Sequence, residues 1–119
     1  MATPIFQPVP CVMVVGSDDV LADEVARALP GISHLRVAHG AGAVERMLVT
    51  RPLVVILDES IVGADFERVA ECARDIRAEI LRASIPLRAN LEPSLRSAVL
   101  GAERARAEGL STGSSQALE

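Results

Sequence analysis

The side chains able to do chemistry gather on loops behind short apolar runs. Asp18 and Asp19 follow Cys11–Val15 (CVMVV), and Asp58, Glu59 and Ser60 follow residues 53–57 (LVVIL). Carboxylates there can coordinate a hard divalent cation, which prefers charged oxygen ligands. They can equally accept hydrogen bonds from loop amides. Asp18 and Asp19 also stand where a helix start wants acceptors and negative charge, and that capping role is the expected one. If an ion were held, Asp18, Asp19 and Asp58 are the residues to hold it; the expectation is that none is.

Other chemistries are excluded by composition. All 12 basic residues of the 119 are arginines. A chain with no lysine has no Schiff-base lysine and no Walker A phosphate loop. Cys11 and Cys72 are far apart and read as small buried apolar residues. With His34 and His39 as the only histidines, no zinc cluster is expected. Trp and Tyr are absent and Phe6 and Phe66 are the only aromatics, which argues against stacking platforms for single-stranded nucleic acid. The net charge of -4 disfavours phosphate backbones. No apolar run approaches the roughly 18–20 residues of a membrane span, and no signal pattern opens the chain. A cytoplasmic protein is expected.

These residues need elements to position them. Half the residues are apolar, enough for one domain with an aliphatic core. Residues 1–10, with three prolines, read as an extended lead-in, 11–109 as the domain and 110–119 as a flexible tail. Cys11–Val15 and 53–57 suit strands buried on both faces, and Leu35–Ala38 a third. Helices are expected at 20–29, closed by Pro30-Gly31, and at Ala41–Thr50, broken by Arg51-Pro52. One long helix is expected over 65–82, with Val69, Cys72, Ala73, Ile76 and Ile80 on a stripe. Its alternating Arg and Glu/Asp residues suit a solvated face laced with weak ion pairs. Ile85-Pro86-Leu87 reads as an edge strand or loop. A last helix runs from Asn90–Pro93 to about Ala107, with Gly109 as its stop. Alternating strands and helices predict an α/β fold with a doubly wound parallel sheet. Binding residues then lie on loops past the strands' carboxyl ends: Gly16–Asp19, Ala38–Gly42 and Asp58–Gly63.

VMVVGSDDVLADEVARAL (12–29), LRVAHGAGAVERML (35–48) and RPLVVILDESIVGAD (51–65) together resemble a response-regulator receiver (CheY-like) domain of two-component signalling, over roughly residues 11 to 80. The resemblance implies a flavodoxin/CheY-like fold with a shortened or remodelled C-terminal part. It puts Asp58 at the phosphoacceptor place, Gly63 on a conserved-type glycine, Val62 in place of a proline and Asp65 on a later acidic residue. Receivers also use an acidic pair for Mg²⁺, a hydroxyl and a lysine. Gapless alignment of the first helix puts Gly16 and Ser17 at the acidic-pair positions, with Asp18 and Asp19 two residues later. No lysine exists; Arg88 stands near its place but is not interchangeable with it. Ser84 supplies the hydroxyl only if 79–84 form a strand, whereas those residues fit a helix better. Between Arg82 and Gly109 there is room for one short strand and one helix, fewer elements than a receiver has.

The expected function is therefore a non-catalytic signalling and protein-interaction module, a pseudo-receiver without a cofactor. Its partners are signalling proteins or a second copy in a homodimer, not nucleic acid or membrane. The alternative is a working receiver phosphorylated on Asp58 with Mg²⁺. A weaker one is another small α/β regulator resembling an anti-sigma antagonist, with Ser60 as its serine.

Overall fold

The computed structural model describes residues 10–118, and the side chains of these except 85, 86 and 109–118. Strands β1 (Cys11–Val15), β2 (Ser33–Val37), β3 (Val54–Leu57) and β4 (Glu79–Arg82) form one parallel sheet in the order β2-β1-β3-β4. The chain steps outward from β1 to β2, then reverses to β3 and β4. Crossovers of one hand then place the first helix on one face and the next two on the other. Helix α1 (Asp19–Ala28) and the long final helix α5 (Leu91–Leu118) cover one face; α2 (Gly40–Thr50) and α3 (Gly63–Asp75) cover the other. This is the doubly wound parallel α/β fold expected, of the flavodoxin/CheY-like kind.

Strand alternation divides the core. Val12, Val14, Val54 and Ile56 pack against Leu21, Val25, Leu91, Leu95 and Val99. Met13, Val15, Val55 and Leu57 pack against Ala43, Met47, Val69 and Cys72. Both central strands are thus buried on both sides, the reason their sequences read as unbroken apolar runs. Leu91, Leu95 and Val99 of α5 are at most 8% exposed. At about 1.5–3 kcal/mol for each such side chain, they contribute on the order of the net stability of a small domain.

The expected helix over 65–82 is corrected at its C-terminal half. Helix α3 ends at Asp75, and Arg77 turns left-handed at φ 58°. Its N–H donates to Arg74 O (3.1 Å) and that of Ala78 to Ala73 O (2.8 Å). This is a Schellman-type stop, usually built on glycine. Here an arginine makes it, so the sequence shows no break, and Ile80 continues the stripe by coincidence of spacing. Residues 79–82 then form β4. Ile80 joins the α2/α3 cluster and Leu81 the α1/α5 cluster, as neighbours on a strand must. Among the described residues no ion pair forms along α3. Arg82 lies over the Phe66 ring instead, 4.8 Å from its centroid.

Residues 85–87, expected as strand or loop, open the short helix α4 (Ile85–Ala89). Ser84 caps it, accepting from Leu87 N at 3.2 Å, and Pro86 sits in the first turn, where its missing N–H costs nothing. No fifth strand follows among the described residues. Helix α5 also runs past Gly109 to Leu118 rather than stopping there. The lead-in over 1–9 lies outside the described residues.

Helix α2 ends on another left-handed arginine, Arg51, at φ 48°. An L-residue pays about 1–2 kcal/mol there and glycine does not, although glycine loses more entropy on folding. Arg51→Gly is expected to stabilise the protein by about 0.5–1 kcal/mol, read as a raised urea midpoint.

Candidate functional site

Loops after β1 and β3 meet at the point where the chain reverses direction across the sheet, where ligands of open α/β sheets bind. Asp58 N donates to Val15 O at 3.0 Å, which continues the β1–β3 ladder one residue past β3 and fixes where the side chain starts. Asp58 is only 4% exposed, and no other charged or polar residue among those described is buried. Its Oδ1 accepts from Ser60 N at 2.8 Å and from the Ser60 hydroxyl. Its Oδ2 accepts from Asp18 N at 3.1 Å. Burial pushes the carboxyl's pKa up, but the Ser60 hydroxyl and the amides of Ser60, Asp18 and Ser17 outweigh it and hold the group below its ordinary value. It is an ionised carboxylate satisfied by its own loops.

Gly16 makes this seat possible. Its φ is 133°, and a Cβ built there would lie 2.0 Å from the Asp58 Cγ and Oδ2. The Asp58 carboxylate therefore occupies the space any side chain at position 16 would need. Ser17 takes part through its backbone N–H.

The two neighbouring aspartates part company. Asp18 is the N-cap of α1, accepting from Leu21 N at 3.0 Å through Oδ1. Its Oδ2 takes the Arg88 guanidinium. The Leu21 amide is the largest influence on its pKa; burial raises it, and the amide together with Arg88 holds it below the ordinary value. The pair is about one-third exposed at each partner, so it contributes only about 0.2–1 kcal/mol. Asp19 points away, 78% exposed and paired with Arg36 of β2. The capping role expected for this dipeptide thus falls to Asp18, and Asp19 stands outside the site.

Asp18, Asp58, Glu59, Ser60, Ala83 and Arg88 line a pocket of about 220 Å³. Ser84, the sequence's candidate hydroxyl, is engaged in capping α4, and Ala83 takes the wall instead. Asp65 is also elsewhere, packed against Gly40 at the start of α2. The sequence hints at Arg88 only by position; short α4 carries it to Asp18, 70 residues away in the chain. The role of Gly16 as a seat was not anticipated, and its one signal is the turn Gly16-Ser17-Asp18.

Cys11 and Cys72 are buried free thiols whose pKa values burial pushes up, so neither is primed as a nucleophile. Among the described residues no group of three or more His, Cys, Asp or Glu is gathered to hold a metal ion. None of their helices is long and apolar enough to cross a membrane. No family model matches the chain, and no curated protein matches it.

Proposed function

We propose that the chain is a receiver-like module that works by binding protein partners or its own copy, without phosphoryl transfer to Asp58. The observation that supports this is the closed seat of Asp58. Phosphoryl transfer to a carboxylate depends on positioning and on cations that neutralise the incoming charge. Here both Asp58 oxygens are occupied by hydrogen-bond donors of the flanking loops. Position 16 has no room for a metal-holding carboxylate. The arginine that lines the pocket, Arg88, is spent on Asp18. The order β2-β1-β3-β4, with α1 and α5 sharing a face, is compatible with the first four strands of the flavodoxin/CheY-like order and supports the receiver-like reading.

One observation favours the working receiver as a second reading: two ionised carboxylates, Asp18 and Asp58, line one pocket with Ser60. Titration of the protein with Mg²⁺ and beryllofluoride, a phosphoryl mimic, separates the two. The amides of Gly16, Asp18, Ser60 and Ala83 are expected to keep their NMR positions. Saturable shifts confined to these amides, or a phosphoryl mass gain after incubation with acetyl phosphate, would sink the proposal.

A further inference from the structure

We infer that the groove between α2 and α3 docks a partner protein through a basic amphipathic helix. Helix α2 carries only two charged residues, Glu45 and Arg46, among its 11. It packs on the sheet through its buried residues Gly40, Ala43 and Met47. Away from that face Leu48 is 57% and Val49 83% exposed. A helix lying on a sheet needs one apolar stripe, and polar residues solvate the rest. Its neighbour α3 follows that rule: Glu67, Arg68, Glu71, Arg74 and Asp75 are exposed and none of its large apolar side chains is. The surplus apolar surface of this layer thus belongs to α2.

A cleft of about 450 Å³ runs between the two helices. Ala41, Val44 and Leu48 line it from α2, at helical spacing, and Arg68, Glu71 and Asp75 from α3. Glu45 sets a third carboxylate against the one arginine. None of these four charges is paired with another among the described residues.

The charge selects the occupant. A net negative rim favours a cationic partner. It repels nucleic acid, an anionic bilayer and a second copy, whose own net charge is -4. The walls select its shape. Both are helices, whose backbone groups bond within themselves, so an extended peptide finds no strand edge to join. A third helix can lay its ridge of side chains into the groove. Glu71 and Asp75 stand one turn apart on α3, which suits two cations one turn apart on the partner. They flank an apolar stripe laid on Ala41, Val44 and Leu48. This names the partner class for the interaction role above and rests on that reading. The two fail separately, because beryllofluoride reads Asp58 and a peptide reads the groove.

The probes are two peptides of about 15 residues, long enough to hold a helix. Both carry a stripe of leucine and alanine; one flanks it with arginines one turn apart, the other with glutamates. Titration of the full chain with the arginine peptide is expected to give saturable NMR shifts centred on the amides of Val44, Leu48, Glu71 and Asp75, weakening as salt rises. The glutamate peptide is expected to bind at least roughly tenfold more weakly. Glu71 and Asp75 are exposed, so the protein carrying both Glu71→Arg and Asp75→Arg is expected to keep its circular dichroism spectrum and to reverse that preference. Leu48→Asn is expected to weaken binding of the arginine peptide about tenfold. No saturable binding of the arginine peptide, equal affinity for the two peptides, shifts centred elsewhere, or a preference unchanged in the doubly substituted protein overturns the inference.

Discussion

Gly16→Ala is expected to destabilise the protein by about 3–5 kcal/mol, most of the net stability of a small domain. Two costs combine. At φ 133° an alanine is strained whatever its surroundings. Its methyl also falls 2.0 Å from the Asp58 carboxylate, which must leave the amides and hydroxyl that satisfy it. Urea denaturation followed by circular dichroism measures the loss. Because the second cost needs the carboxylate, Gly16→Ala combined with Asp58→Ala is expected to cost less than the sum of the two. Strict additivity would mean that Asp58 is not seated over Gly16.

Asp58→Ala is expected to cost about 2–4 kcal/mol, since it strips the Ser60 hydroxyl and the amides of Ser60 and Asp18 of a charged acceptor. The pH dependence follows from the direction of the shift. The folded pKa of Asp58 lies below the ordinary 3.8. In that range the unfolded chain binds more protons, so stability rises with pH. The contribution is fully present above the unfolded value and is lost as pH falls through the folded one. The stability gap between wild type and Asp58→Asn is therefore expected to be flat around neutral pH and to shrink only below about pH 4. Urea midpoints of both proteins across that range measure it. A gap that closes near neutrality would mean that the carboxyl is neutral in its seat.

How much of this was legible varied with the physics behind each element. Strands β1 and β3 announce themselves because both faces are buried. Helices α1 and α2 end at prolines that any reading finds. The C-terminal third misleads because its signals are conformational. Arg77 adopts a left-handed turn that its residue type does not advertise, and Ile80 extends a helical stripe that has already ended. Pro86 looks like a strand breaker and is a first-turn helix proline. At the site, Asp58 and the cap Asp18 follow from their places after apolar runs. The seat over Gly16 and the reach of Arg88 to Asp18 depend on how distant loops meet, which local pattern does not encode.

The division of the core has a consequence for synthesis. The cluster facing α2 and α3 draws only on residues 13–80, so it can close once β4 has left the ribosome. The opposite cluster waits for Leu91, Leu95, Ala98, Val99 and Ala102. Until they emerge, Val12, Val14, Val54 and Ile56 form a bare aliphatic floor on a half-finished nascent chain. That interval is when misassociation and chaperone capture threaten this protein most, and a chain truncated before α5 would never leave it.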